Sequence, residues 1–385
     1  MRRTGAIAVV VIVTVIVLLS LIGCRDRDTT PEIVPTPAPT IELPPVIEPE
    51  PTPEPTPEPT PEPEIVPIDL SFSEITVEIL AEMITNGDIP QKVLELNLRG
   101  NDLSDITPLQ ALTELVWLDL GANHVSDITP LQSNTELVWL DLDTNQVNDI
   151  TPLSFLTKLT HLDLSSNKID DISPLQSLTG LNWLELDHNR ISDISPLDLL
   201  TEITWLGLYY NEIDDISPIQ TLTSLSYLDI GLNHIERIDA LESLTELTVL
   251  VLGSNQISNI SPLKSLTQLT RLDLSNNKVR NLSPLSSLTM LTELDLSSND
   301  IRDLAPLSSL TELITLGLGG NQIRTLSPLR SLVQLVELDL SYNRITNISA
   351  LLSLTRLTSL GLYGNQISRA QYTRLSNALP DCYIG

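Results

Sequence analysis

The sequence predicts an α/β solenoid, a stack of about thirteen coils that share one parallel β-sheet and are closed by short helical caps. Thirteen Asn residues recur at a strict interval of 22 positions, from Asn101 to Asn365. Leu stands five residues before each Asn, and Leu or Ile stands three residues before it. Leu-x-Leu forms a short strand that directs alternate side chains inward, and one coil cannot bury its apolar face alone. The array therefore has to fold as one unit.

Other columns of the repeat predict how each coil turns. An aliphatic residue follows the Asn by two positions, and in most coils a Pro follows it by seven. This Pro prevents a helix from continuing and bends the chain on the outer side. The Asn amide is expected to bond the backbone of the turn and of the next coil, since these groups would otherwise be buried unpaired. Asn134 takes a core Leu position, so we predict a soft spot there unless it bonds a neighbouring coil.

The sequence pattern Ile191-Ser-Asp-Ile-Ser-Pro-Leu197 recurs with small changes along the array. It resembles the leucine-rich repeat family, and within it the internalin type of bacterial surface adhesins. The resemblance covers residues 93–368. It implies a leucine-rich repeat horseshoe whose concave parallel sheet binds proteins.

The two ends of the array need caps. Residues 68–92 are predicted to form an N-terminal helical cap, with Ser73 as the first capping residue and Asn86-Gly87 as the stop. Residues 369–385 are predicted to form a C-terminal cap, with a helix from Ala370 to Leu379 and a short strand after it. Cys382, in that strand, is expected to be a small buried hydrophobe.

The N-terminus carries an export signal. Arg2 and Arg3 precede an apolar run from Ala6 to Ile22, which ends in Leu21-Ile22-Gly23-Cys24 and resembles the bacterial lipobox. The resemblance implies that residues 1–24 are a lipoprotein signal peptide and that Cys24 is lipidated. The alternative is an uncleaved anchor, because the run is nearly long enough to span a bilayer. Both alternatives place the rest of the chain outside, on the bacterial cell surface.

Residues 25–67 are predicted to be a disordered linker. Pro, Glu and Thr dominate the segment, and eight Glu are present without a Lys or Arg between residues 31 and 67. Pro removes backbone donors, so neither helix nor sheet can form, and an extended polyproline II stalk is expected. Such a stalk would lift the repeats off the membrane.

Composition excludes some classes of partner. The chain has a formal net charge of −29, so it lacks the basic face that nucleic-acid binding requires. Anionic membrane surfaces are disfavoured for the same reason. A cationic partner, or a neutral one bound through aromatic rings, fits better.

Aromatic residues gather in one outward-facing strand column, six residues before the Asn. All four Trp of the protein lie in this column, and exposed Trp and Tyr are common anchors of binding sites. The alternative is a ladder of rings that only stiffens the sheet. The predicted ribbon comprises Trp117, Trp139, His161, Trp183, Trp205 and Tyr227, widened by Tyr209 and Tyr210.

An acidic column lies beside the ribbon, four residues before the Asn. Its predicted partner-binding members are Asp119, Asp141, Asp163 and Glu185. They either complement a basic patch on a partner or follow the family consensus as solvated side chains. A calcium site from Asp141, Asp163 and Glu185 is disfavoured, because an open ladder seldom supplies six oxygens to one ion.

No catalytic motif appears, since no phosphate loop, nucleophile elbow or metal-ligand spacing is found. We therefore expect a non-enzymatic scaffold without a cofactor or metal, monomeric, that binds a protein through the concave face. Two alternatives stay open: binding of a carbohydrate or wall polymer by the aromatic ribbon, and a structural spacer without a specific ligand.

Overall fold

The computed structural model describes residues 67–385. The predicted signal peptide, the lipidation site Cys24 and the linker up to residue 66 lie outside the described residues. Among the helices of 67–385, none has the length and apolarity needed to cross a bilayer.

One parallel sheet runs through the whole described region. Within residues 67–385 it has fifteen strands. They pair in chain order, so each strand lies between the strand before it and the strand after it in sequence. Equivalent positions of adjacent coils face each other, as Leu96 and Leu118 do. The strands are β1 Ile68–Asp69, β2 Glu95–Asn97, β3 Trp117–Asp119, β4 Trp139–Asp141, β5 His161–Asp163, β6 Trp183–Glu185, β7 Trp205–Gly207, β8 Tyr227–Asp229, β9 Val249–Val251, β10 Arg271–Asp273, β11 Glu293–Asp295, β12 Thr315–Gly317, β13 Glu337–Asp339, β14 Ser359–Gly361 and β15 Tyr383–Ile384.

The opposite side of each coil is a single 3-10 turn. Pro is the second residue of most of these turns, because its fixed φ suits a helix start and its missing N–H is not needed there. The following Leu points into the core and is buried. The turns span Thr107–Ala111, Thr129–Ser133, Thr151–Phe155, Ser173–Ser177, Ser195–Leu199, Ser217–Thr221, Asp239–Ser243, Ser261–Ser265, Ser283–Ser287, Ala305–Ser309, Ser327–Ser331 and Ser349–Ser353.

A continuous aliphatic core lies between the sheet and the turns. The inward Leu, Ile and Val columns of all coils form one cluster, and most of their side chains have no exposed surface. Burial of one such side chain contributes about 1.5–3 kcal/mol. The predicted solenoid with its parallel sheet is therefore confirmed.

The Asn of each coil joins that coil to the one before it. In the third coil, Asn145 Oδ1 accepts the Val125 amide at 2.9 Å, and its Nδ2 donates to the carbonyls of Leu120 and Leu142 at 2.9 and 3.1 Å. The prediction of backbone bonding is correct, but the partner is the preceding coil, not the next. In the stacked coils, the amide two residues after the preceding Asn and the carbonyl three residues before it lie beside the Asn side chain, as Val125 and Leu120 lie beside Asn145.

Asn134 does hydrogen-bond a neighbouring coil. It is fully buried, and its Nδ2 donates to the carbonyls of Leu109 and Leu112 at 3.2 and 2.8 Å. Both carbonyls also accept a backbone amide within their own coil. Asn134 Oδ1 has no hydrogen-bond partner, so half of the amide is buried unsatisfied.

The N-terminal cap imitates a coil before its helix begins. Strand β1 pairs with β2, and Asn101 Oδ1 accepts the Ile75 amide at 2.8 Å. Helix α1 spans Val77–Asn86 and is capped by Thr76, not by the predicted Ser73. Ser73 belongs to the preceding turn, where its amide bonds Asn101 at 3.1 Å. Gly87 ends the helix in the left-handed conformation, at the predicted stop.

The C-terminal cap covers the last coil with a helix and a strand. Helix α2 spans Arg369–Ala378, one residue earlier at each end than predicted, because Ser368 caps it. Strand β15 follows and pairs with β14. Cys382 is half-buried rather than buried as predicted. Residues 67–385 thus supply covers for both ends of their own core.

We predict that Asn145→Ala lowers the free energy of unfolding by roughly 2 kcal/mol, because the buried Val125 amide loses its partner and two carbonyls each lose one of their two Asn donors. Urea unfolding of residues 68–385, followed by circular dichroism, measures this. The exposed Asn148, changed to Ala, is the matched control and should have little effect. Equal losses in the two variants would contradict the role of the Asn column.

We predict that Asn134→Leu raises the free energy of unfolding by about 1–2 kcal/mol. It removes the unsatisfied oxygen and restores the Leu column, while both carbonyls keep their backbone partners. The same urea titration tests it. A lower midpoint would mean that the two amide hydrogen bonds outweigh the gain in packing.

Candidate functional site

The sheet surface opposite the 3-10 turns faces away from the aliphatic core, and we call it the concave face. In each coil it presents the residues six, four and two positions before the Asn, because alternate strand side chains point the same way. The residue directly before the Asn lies at the edge of this face in the left-handed conformation, in every coil from Gly100 to Gly364.

The predicted aromatic ribbon lies along one edge of the concave face, and all six of its rings are partly exposed. The rings stack in two runs. Trp117 and Trp139 have centroids 4.4 Å apart and planes 10° apart. The run from His161 to Tyr227 has centroid spacings of 6.4, 6.5 and 3.5 Å, and its last two rings are parallel.

Tyr209 lies outside the ribbon. It stands four residues after Trp205 in the same coil, about 13 Å along the strand. It packs instead near His188 and Tyr210, with centroids 5.4 and 6.5 Å away. The concave face therefore has a second aromatic group at its opposite edge.

Arg99 forms ion pairs with the acidic side chains of the second and third coils. Arg99 reaches across two coils and lies 3.0 Å from Asp141, 2.6 Å from Asp143 and 3.6 Å from Asp119. Its guanidinium lowers the pKa of Asp143 despite the burial of that carboxyl. Asp119 and Asp141 are themselves buried, so the Arg99 contacts compensate charges that water reaches poorly.

Carboxyl groups of the fifth and seventh coils have no such cation. Burial first, and then repulsion by Asp187, raises the pKa of Glu185 to about 8. Burial, with repulsion by Asp229, raises the pKa of Asp187 to about 7. Burial, with repulsion by Asp273, raises the pKa of Asp229 to about 6. Asp163 lies in the fourth coil, between the carboxylates near Arg99 and those of the fifth coil, and its pKa is raised mainly by burial.

Backbone and indole donors hold these carboxylates in place. Glu185 accepts a hydrogen bond from Trp205 Nε1, and Asp187 accepts one from the Tyr209 amide at 2.7 Å. Asp229 accepts the Gly231 amide at 2.9 Å. At Gly207 a Cβ would overlap the Glu185 carboxylate, so the glycine leaves room for that side chain.

The charge of the described region is concentrated in its N-terminal half. Residues 67–236 contain 28 Asp and Glu against 5 Lys and Arg, a net charge of −23. Residues 237–385 contain 12 of each and are neutral. The aromatic ribbon thus lies entirely within the anionic half.

Within residues 67–385, no group of three or more His, Cys, Asp or Glu is arranged to hold a metal ion. His161 contacts Thr160 Oγ1 through Nδ1 at 2.8 Å rather than a carboxylate. The acidic column is therefore a line of separate carboxylates, and the disfavoured calcium site receives no support from their geometry.

Several residues of this surface were not singled out from the sequence. They occupy the columns two and one positions before the Asn, where residue types vary strongly between coils. The signal was present in the alignment of the coils, because acidic and aromatic residues alternate there with Gly and Ser. These residues are Arg99, Asp143, Asp187 and His188.

We predict that residues 68–385 are more stable at about pH 5.5 than at about pH 8.5. The folded state raises the pKa of Glu185, Asp187 and Asp229, so it binds protons more tightly than the unfolded chain does. The resulting stability is complete below the unfolded pKa values and is lost as pH rises through about 6 to 8. Thermal unfolding at each pH measures it.

Glu185→Gln isolates one of these groups and keeps the acceptor for Trp205. At about pH 8.5 it should raise the free energy of unfolding by on the order of 1 kcal/mol, and at about pH 5.5 it should change little. The exposed Asp214→Asn is the control. An equal effect of Glu185→Gln at both pH values would show that the charge of Glu185 does not lower the free energy of unfolding.

Known proteins support the repeat assignment. Family models described as leucine-rich repeats match residues 135–191, and in a two-copy form residues 245–287, 289–331 and 333–374. No curated protein sequence matches the chain significantly.

Solved structures resemble the chain more closely. An internalin (InlF) of Listeria monocytogenes is 38% identical with a TM-score of 0.69, over 70% of this chain and 80% of that one. A leucine-rich repeat protein of Leptospira interrogans is 24% identical with a TM-score of 0.73, over 83% and 95%.

A more distant match is the ectodomain of an Arabidopsis thaliana receptor kinase, in complex with Casparian strip integrity factor 2. It is 23% identical with a TM-score of 0.62, over 76% of this chain and 40% of that one. The plant and Leptospira structures show the shared fold, whereas the identity to InlF extends over most of both chains. The chain therefore belongs to the leucine-rich repeat proteins of the internalin type.

Proposed function

We propose that the protein is a non-enzymatic binding scaffold that recognises a protein partner through the concave face of the second to seventh coils. One observation carries this proposal: all four Trp of the chain lie in one partly exposed column of that face. A packing role would distribute Trp among inward positions. Partly exposed Trp and Tyr supply large contact areas with little loss of side-chain entropy.

The stacking of the rings favours a protein over a sugar. Carbohydrates pack their C–H groups against open ring faces. In the ribbon the ring faces cover one another, most completely between Trp205 and Tyr227, whose centroids are 3.5 Å apart. Ring edges are left for a partner, and edge contacts suit the mixed apolar and polar surface of a protein.

The family supports the same function. Leucine-rich repeat proteins of the internalin type are generally protein-binding scaffolds. Among structures that share the fold, the plant receptor ectodomain was solved with a bound protein factor. The open sheet also lacks the closed, dry pocket that enzymes use.

We further propose that the scaffold is displayed on the bacterial cell surface as a monomer, anchored through a lipid on Cys24 and raised on the Pro-rich linker. The lipobox-like end of the apolar run supports this proposal. An uncleaved anchor would give the same display, and metabolic labelling with an alkyne fatty acid, lost in Cys24→Ala, distinguishes the two.

We predict that Trp139→Ala or Trp183→Ala weakens partner binding by on the order of 2 kcal/mol or more while leaving the fold intact. The partner is captured from surface extracts and wall fractions with immobilised residues 68–385. A quadruple variant, with Trp117, Trp139, Trp183 and Trp205 changed to Ala, should lose it.

The matched control changes the same column in later coils. It replaces Val249, Glu293, Thr315 and Glu337 with Ala, and it should keep the partner. Circular dichroism verifies the fold of each variant. Release by soluble saccharides would favour the carbohydrate alternative. A partner retained by the Trp variant moves the site to another face, and capture of no partner favours the structural spacer.

A further inference from the structure

In the fifth to seventh coils the concave face forms a trough with an acidic floor and aromatic walls. Trp183, Trp205 and Tyr227 make one wall, and His188, Tyr209 and Tyr210 make the other. Glu185, Asp187 and Asp229 make the floor between them. Tyr209 follows Trp205 by four residues and Tyr210 follows it by five, which separates the walls by roughly 13 Å and admits one extended segment or a row of long side chains.

Neighbouring side chains close the floor at its centre. Gly207 and Gly231 have no side chain of their own and are buried, because the Glu185 carboxylate lies over Gly207 and the Tyr209 ring lies beside Gly231. Glu185 leans into the space over Gly207 and is held there by Trp205. A ligand group entering the trough would therefore meet carboxylate oxygens on both sides.

Within residues 67–385 no Lys or Arg forms an ion pair with this floor, although the charge of Arg271 lowers the pKa of Asp229. The concave columns of the fifth to eighth coils contain no Lys or Arg. Arg99 is used by Asp119, Asp141 and Asp143, and Arg271, in the ninth coil, lies 3.5 Å from Glu293. Three half-buried carboxylates at strand spacing repel one another, a cost that a ligand of opposite charge would remove.

We propose that the trough binds a basic segment of the partner protein, with an Arg or Lys side chain seated between the aromatic walls above the Glu185 carboxylate. The inference rests on the proposed function of the concave face and specifies the chemistry of its partner. The carboxylates of the floor would form charge-assisted contacts with this cation, and Tyr209, which lies outside the stacked ribbon, offers an aromatic ring beside them.

Arg suits the trough better than a metal ion does. Its planar guanidinium stacks on rings and donates to two carboxylates at once, which matches a floor whose oxygens are spread over three coils. A metal ion needs several oxygens around one point, and the described residues offer no such cluster. The net charge of −23 on residues 67–236 adds long-range attraction for a basic partner.

Binding of an acetylated and amidated hexa-arginine peptide to the full chain in mild detergent tests the proposal. All four Trp lie on the concave face, so intrinsic Trp fluorescence reports binding at the site. A hexa-citrulline peptide of the same shape without charge is the ligand control. Hexa-arginine should bind at least about tenfold more tightly than hexa-citrulline at about 0.15 M salt.

The decisive variant changes Glu185→Gln, Asp187→Asn and Asp229→Asn, which keeps the acceptors for Trp205, Tyr209 and Gly231. It should weaken hexa-arginine binding at least about tenfold. The matched control changes Asp170→Asn, Asp214→Asn and Glu236→Gln, three exposed residues outside the concave face, with the same change of net charge. It should leave binding nearly unaltered.

Equal weakening by both triple variants would show general attraction to an acidic protein and would overturn the proposal, as would no weakening by either. Tyr209→Ala removes one ring of the second wall without changing a charge, and it should weaken hexa-arginine binding several-fold. An unchanged affinity would show that this wall does not contribute to binding.

Failure of this inference is separable from failure of the proposed function. If the quadruple Trp variant loses the captured partner while the neutral trough variant keeps it, the concave face binds a protein of another chemistry. If the trough binds hexa-arginine but the captured partner does not depend on Trp, the trough stands and the proposed partner site does not.

Discussion

The amide of one Asn per coil is the interaction on which the rest of the structure depends. Each coil must leave its strand abruptly, and the residue before the Asn adopts the left-handed conformation to do so, although only three of these thirteen residues are Gly. That conformation costs of order 1 kcal/mol or more at a non-Gly residue. The hydrogen bonds of an Asn such as Asn145 offset this cost, and those to the Val125 amide and the Leu120 carbonyl tie the coil to its predecessor. A strict 22-residue period follows, because an insertion would break the bond to the neighbouring coil.

This regularity frees the concave face for function. The core uses only the inward columns, so the outward columns vary in residue type without disturbing the fold. The variation is not uniform along the array: all four Trp lie in the second to sixth coils, whereas later coils present Val, Arg, Glu, Thr and Ser in the same column. A surface built in this way tolerates a local accumulation of repelling carboxylates, since each coil is held mainly by its buried Leu and Asn.

The repeat period predicted the sheet, its register and the core, because every column of the alignment has one physical role. The ends were less predictable. Ser73 and Thr76 offer the same capping chemistry, and only the docking of the cap against Asn101 decides between them. In the site, the aromatic ribbon followed from one column, whereas the second wall around Tyr209 did not. Its rings come from two adjacent columns, one of them in the left-handed conformation, and their meeting depends on backbone geometry that no single column reveals.

The uneven distribution of charge gives the solenoid a large electric dipole. Its stacked strands extend over roughly 65 Å, with the whole net charge of −23 on the half nearer the N-terminus. Near a positively charged surface the solenoid rotates before it makes contact. It then presents its acidic N-terminal half to that surface. Salt shortens the range of this alignment to about 8 Å at physiological ionic strength. The ionic strength therefore decides whether the solenoid is oriented before contact, and low salt favours contact through the acidic half.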